Sequence, residues 1–401
     1  MDTDELRLWL RLLHTPGIGN HAARKLLAAL GLPEHIFAAP ASVLDAVVGP
    51  KQAQALKREP DDLPQRLATC QDWLAASARD GLPRTVLSLA DARYPACLLQ
   101  IEDPPPVLFV LGDLARLARH DPRQSLAIVG SRNPTPQGSQ TARAFARHLA
   151  QQGLTIVSGL AHGIDAAAHA GALEAAAAPV PTLALVGTGL DRVYPRQNQA
   201  LARDVAQRGL LLSEFAPGTP PLPSNFPKRN RLIAGLSRGT LVVEAALQSG
   251  SLITARLAGE QGKDVFAIPG SIHGTQSRGC HALIREGARL VESVQDILDE
   301  WSWQSAPSTV RPPDGAPDGD GRPGTATTTT QCSASMAITT APDAEDDELL
   351  RAMGADPIGL DALQARTGWP TPQLQARLLE LELEGRVGRL PGQLFQALGL
   401  G

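Results

Sequence analysis

The chain has 401 residues, more than one ordinary hydrophobic core accommodates, so two or three domains are expected. Hydrophobic residues make up 43% and charged residues 19%, which places most of it among globular proteins. A net charge of −4 excludes attraction of nucleic acid by overall charge, so any such binding must come from a local basic patch. Cys70, Cys97, Cys280 and Cys332 are far apart and form no CxxC pair. That spacing argues against a zinc site or a disulfide framework and fits a reducing compartment. Acidic residues stand in MDTDELRLWLRLL where a secretion signal needs positive charge, and no uncharged apolar run approaches a membrane span. A cytoplasmic protein without a membrane segment is expected.

From Asp4 to about Ala68 the sequence predicts short helices. Leu6, Leu10 and Leu13 share one helical face, and His14-Thr15-Pro16-Gly17-Ile18-Gly19 forms a turn opening a helix through Leu30. A helix, a GIG turn and a second helix resemble a helix-hairpin-helix unit, whose turn can hold a DNA phosphate. The alternative is a small helical domain that only packs or mediates contacts. Residues 1–80 are therefore expected as a helical domain of SAM or helix-hairpin-helix type.

Apolar runs then recur at Leu126–Val129, Leu154–Val157, Thr182–Val186, Leu210–Leu212, Thr240–Val243 and Val265–Ile268. Most are followed by glycine- or serine-rich turns and helical stretches such as Gln137–Gln151, Ala166–Ala177 and Gln197–Gln207. Short runs without polar alternation, separated by helices, predict a parallel sheet buried on both faces. The expected fold class is α/β, a Rossmann-like doubly wound domain over residues 92–301 that includes an N-terminal extension. Residues 305–342, with PPDGAPDGDGRPG and ATTTT, lack the apolar content to fold and are expected as a disordered linker. Residues 343–401 regain helical periodicity around a Thr367-Gly368 turn and read as a winged-helix-like domain.

Three stretches carry candidate chemistry. Gly130-Ser131-Arg132 follows the first of these runs, where glycine permits close approach of an anion and Arg132 offers a bidentate fork. An ordinary strand-to-helix turn is the bland alternative, and no acidic residue is placed to read a ribose hydroxyl. In SGLAHGIDAAAH, the spacing of His162, Asp165 and His169 could suggest a metal. His162 precedes the helix start, though, and no fourth ligand is evident, so capping and packing are expected and no metal or cofactor. Between Phe215 and Val243 there is no acidic residue, while Lys228, Arg229, Arg231 and Arg238 cluster beside Phe226. A cationic track beside an aromatic suits a single strand, because phosphates meet charge and a base can stack.

GSR, SGLAHGIDAAAH, GTGLDRVYPRQN, FPKRNRLIAGLS and VVEAALQSGSLITARLAGEQGKDVFAIPG, from about Tyr94 to Leu298, together resemble the DNA-processing protein A family (DprA, also called Smf). The resemblance implies a dimerising Rossmann-like core that holds single-stranded DNA in a positive pocket. It also implies protection of incoming strands and loading of a RecA-type recombinase during natural transformation. Carried over by motif, it gives Gly130, Ser131, Arg132, Phe226, Lys228, Arg229 and Arg231 as DNA contacts, and no catalytic residue.

Two other readings compete. Nucleotide hydrolases of the lysine-decarboxylase-like Rossmann group use PGGxGTxxE, where this chain has LSRGTLVVE. The glycine pair is missing and Glu244 is displaced by one residue, so on a strand it would point to the other face. A duplex-reading regulator would use the C-terminal helix, yet Gln373–Glu384 carries Arg377 before Glu380, Glu382 and Glu384, which the duplex backbone would repel.

Overall fold

The computed structural model describes residues 1–175, 179–303, 344–354, 357–390 and 394–398. The described residues fall into two compact units, divided after residue 304. The linker expected over 305–342 lies outside the described residues.

The first unit is built on a sheet of nine strands: β1 (Arg84–Ser88), β2 (Val107–Leu111), β3 (Ser125–Val129), β4 (Thr155–Ser158), β5 (Thr182–Leu185), β6 (Leu210–Ser213), β7 (Gly239–Val242), β8 (Asp264–Ala267) and β9 (Arg289–Leu290). Their order across the sheet is β1-β2-β6-β5-β4-β3-β7-β8-β9. From β6 to β9 all pairs are parallel, while β1 and β2 add antiparallel at one edge. Every residue of β2 through β7 is buried, which is why these strands read as unbroken apolar runs. The chain winds outward from β3 to β6, then returns to place β7 on the other side of β3. At such a reversal the loops on either side diverge and leave a crevice beyond the strand ends.

Two apolar layers sandwich the sheet. On one face Leu232, Ile233, Leu252 and Ala255, from helices Asn225–Gly235 and Ser251–Glu260, pack on Val129, Val157, Leu185 and Leu212. On the other, Phe145, Leu149, Ile164 and Ala168, from helices Pro136–Gln151 and Ile164–Glu174, pack on Leu126, Ile128, Ile156 and Leu241. The N-terminal helices do not keep a core to themselves. Trp9, Leu10, Leu26 and Trp73 join Val86, Phe109, Val186 and Leu211 in one cluster, and the Trp73 and Phe109 rings meet edge to face at 6.0 Å. The passage from residue 80 to 92 is thus a change from helix to strand within a continuous core. Strand β2 stands where the sequence suggested only an extension, and β1 lies before residue 92, in the stretch between the two expected domains.

The second unit carries helices Ala344–Met353, Leu360–Thr367 and Thr371–Leu383 and an antiparallel sheet of β10 (Ile358–Gly359), β11 (Val387–Leu390) and β12 (Leu394–Ala397), in the order β10-β12-β11. Leu349, Met353, Leu363, Leu374, Leu378, Leu381, Val387 and Phe395 form its core. Gly368 ends the middle helix with φ 72°, the left-handed conformation that favours glycine. The result is the winged-helix arrangement the periodicity suggested. Among the described residues no helix is long and apolar enough to cross a membrane.

Candidate nucleic-acid interface

The crevice beside β3 and β7 holds a cavity of about 500 Å³ lined by Gly130, Ser131, Arg132, Phe226, Arg229 and Ser251, among others. Close packing shapes its walls. A Cβ on Gly130 would lie 2.7 Å from Ile164 Cγ1, so only glycine lets the backbone pass there. Ser131 N donates to the Glu244 carbonyl at 2.7 Å, tying the turn to the end of β7. His162 Nδ1 donates to the Arg132 carbonyl at 2.7 Å, which fixes the backbone of the turn, and the Arg132 side chain is exposed.

Phe226 lies in the first turn of the helix Asn225–Gly235. Its ring sits 5.5 Å from that of Tyr194, tilted by 38°, and the Arg132 guanidinium stands 5.4 Å over it. Arg132, Phe226 and Tyr194 therefore form a cationic and aromatic mouth. Tyr194 is 48% exposed and was not among the residues expected at the site. Its signal was present, as the aromatic of GTGLDRVYPRQN, but nothing in the sequence tied that motif to Phe226.

Arg229 forms the floor. It is 4% exposed, its Nε has no hydrogen-bond partner among the described residues, and its guanidinium lies against Gly159, where a Cβ would overlap Nη1 at 1.6 Å. Burial pulls its pKa down to about 10, against the attraction of Asp165 and with help from the repulsion of Arg132. Asp165 is itself buried, which pushes its carboxyl above the usual range.

The remaining two expected contacts do not line this cavity. Arg231 donates from Nη1 and Nη2 to Glu214 at 2.5 and 2.9 Å, and from Nε to the Asp103 carbonyl at 2.8 Å. Lys228 Nζ lies 3.3 Å from the same Glu214. The reason is helical geometry. Residues two apart on a helix point roughly 200° apart, so with Arg229 over the cavity Arg231 must face away. The basic cluster seen in the sequence is thus divided: Arg229 faces the cavity, Arg231 is neutralised inside, and Lys228 stays exposed with its ammonium near Glu214. Asn20, at the start of the helix after the GIG turn, donates to Asp103 at 3.1 Å and Glu214 at 3.2 Å. That turn is anchored by packing onto carboxylates.

His162, Asp165 and His169 do not converge. His169 is fully buried and donates from Nδ1 to Thr182 Oγ1 at 2.7 Å, because the Thr182 hydroxyl proton is committed to the Ile156 carbonyl. Burial first, and Arg229 second, lower its pKa to about 3. Glu244 accepts from Thr135 N at 2.9 Å and Thr135 Oγ1 at 2.6 Å, and so holds the residue that caps the helix Pro136–Gln151.

The family model for DNA recombination-mediator protein A matches residues 85–302, and that for the DprA winged helix domain matches residues 333–393. Protein Smf of Escherichia coli (strain K12) is 41% identical over 306 residues, covering 75% of this chain and 74% of that protein. DNA processing protein DprA of Streptococcus pneumoniae is 48% identical over 216 residues, 54% of this chain and 74% of that one. The X-ray structure of DNA processing protein A from Streptococcus pneumoniae superposes with a TM-score of 0.60 at 37% identity, covering 75% of this chain and 98% of that chain. With one family model matching more than half of the chain, a second matching its C-terminal winged helix, and a relative 41% identical over 75% of its length, the chain belongs to the DNA recombination-mediator protein A family, DprA/Smf.

Proposed function

We propose that the protein is a cytoplasmic, homodimeric mediator of recombination that binds single-stranded DNA in this cavity and performs no chemistry on it. In this reading it protects incoming strands and loads a RecA-type recombinase during natural transformation. One observation supports the strand assignment: Arg132 stands over the Phe226 ring, which itself meets Tyr194, with Arg229 buried in the same cavity lining. A single strand can lay a base on such a platform while its phosphates meet the cations, whereas a duplex base must first be unstacked. Gly130, Ser131, Arg132, Phe226 and Arg229 are the proposed contacts, and the internal pairing of Arg231 removes it from the set. The hydrolase reading has less support, since both oxygens of Glu244 are engaged by Thr135. The duplex-reading alternative meets an acidic helix whose Arg377 is paired with Glu380.

The test is fluorescence anisotropy on labelled oligonucleotides across a salt series. Arg132→Ala is expected to weaken strand binding and flatten the slope of log affinity against log salt by about 0.7. Phe226→Ala is expected to cost about 1–3 kcal/mol with little salt dependence, which separates stacking from charge. Unchanged affinity in both folded variants would remove the cavity from the strand site.

A fragment of residues 1–304 is expected to keep most of the strand affinity, because every proposed contact lies within it. Near-complete loss in a folded fragment would move the reader to the winged helix.

A further inference from the structure

The floor of the cavity holds a charge whose bonding is incomplete. Arg229 Nε–H has no acceptor among the described residues. Asp165, the acid whose charge acts on it, accepts from Ala161 N at 3.3 Å, and burial disfavours its ionised form. A guanidinium this deep is tolerated when an acceptor completes its hydrogen bonds. Hydroxyl donors share the cavity lining with it. Ser249 and Ser251 hydroxyls lie 2.7 Å apart and share one proton between them, which leaves the other free to turn toward a ligand. Ser251 opens the ten-residue helix Ser251–Glu260, whose cap, Gly250, offers no side-chain acceptor. Asp165 is the acidic residue in the lining.

A volume of about 500 Å³ suits a ligand of nucleotide size. A strand crossing the mouth can stack a base on Phe226, but the floor lies deeper, where a chain end reaches more readily than a continuous backbone. An internal diester carries one charge. A terminal phosphate monoester carries nearly two at neutral pH and presents three acceptor oxygens.

We propose that the floor is a phosphate-monoester site, in which Arg229 with the Ser249 and Ser251 hydroxyls takes the terminal phosphate of a nucleotide whose base stacks on Phe226. The inference rests on the cavity being the strand site. The same chemistry could be supplied by the end of a strand or by a free nucleoside monophosphate.

The experiment uses the full chain and three short oligothymidylates: 5′-phosphorylated, 3′-phosphorylated, and hydroxyl-terminated at both ends. Thymidine monophosphate serves as competitor and as ligand in thermal melting. One phosphorylated end is expected to bind about tenfold tighter than the hydroxyl-terminated strand, since charge-assisted bonds to a dianion replace none. Arg229→Gln is expected to abolish that advantage. Should Arg229→Gln fail to fold, the double variant Ser249→Ala/Ser251→Ala is expected to reduce it. Displacement of the favoured oligonucleotide by thymidine monophosphate, with a rise in melting temperature lost in the variants, would identify the free nucleotide as a second source. Equal affinity of all three strands without any effect of the mononucleotide overturns the monoester site and leaves the strand reading standing. An advantage that survives in folded Arg229→Gln also overturns it. If no strand binds, the strand reading fails, and the melting shift with the mononucleotide alone decides the phosphate site.

Discussion

Glu214→Ala is expected to destabilise the protein by about 3–5 kcal/mol, because it leaves a buried charge without its partner. Glu214 stands just beyond β6 and is 8% exposed. It accepts two hydrogen bonds from Arg231, lies against Lys228 and receives Asn20 from the N-terminal helices. Its removal strands the Arg231 guanidinium, whose side chain is 11% exposed, with Asp103 as the remaining acid at 3.5 Å. The loss should appear in urea unfolding as a lower midpoint with an unchanged slope. Combining Glu214→Ala with Arg231→Met should restore part of the stability, since the double variant no longer buries an unpaired guanidinium. A loss under about 1 kcal/mol in the single variant would show that water screens the pair as it does a surface salt bridge.

Acid is expected to unfold the protein well above the range in which carboxylates protonate. Burial lowers the pKa of His14 and His120 to about 4 and that of His169 to about 3. In the unfolded chain each returns to about 6.5, so between these values the unfolded state binds more protons than the folded one. Stability is therefore full above pH 6.5 and falls as pH drops toward 4. Each histidine contributes at most about 1.4 kcal/mol per pH unit across that window. Urea midpoints at pH 7, 6 and 5 test this, and His169→Gln should flatten the dependence by about a third. A midpoint that stays level from pH 7 to 5 would mean that water or local opening reaches these rings.

The parallel part of the fold was legible because strands buried on both faces leave unbroken apolar runs, and the six runs from Leu126 to Ile268 correspond to β3 through β8. β2 was equally apolar, as VLFVL, but its antiparallel place depends on pairing with β6, a hundred residues later, which no local pattern records. The site was half legible. GSR and FPKRNR name a turn and a helix that do line one cavity, since chemistry of that kind is local in sequence. Which cation faces the cavity was not, because the answer lies with Glu214, outside the basic stretch, and with the angular spacing along the helix. Tyr194 was hidden for a similar reason: its partner Phe226 lies across a fold crossing that the sequence does not show. The shared core of the N-terminal helices and the sheet edge was likewise invisible, because Trp73 and Phe109 read equally well as members of separate clusters.

The reversal between β3 and β7 also sets an order of events during synthesis. The Gly130–Arg132 turn emerges from the ribosome early, with β4 to β6 still to be made. Its opposing wall, the helix carrying Phe226 and Arg229, and the Ser249–Ser251 loop come much later. Chains emerge in sequence and fold as units, so a nascent chain displays Arg132 on an open edge with nothing facing it. Without Phe226 and Arg229 opposite, that edge can offer only a weak, salt-screened attraction. Translation thus supplies the facing wall of the cavity only from the helix Asn225–Gly235 onward, before β8 and β9 complete the sheet, and an unfinished chain lacks the assembled cavity.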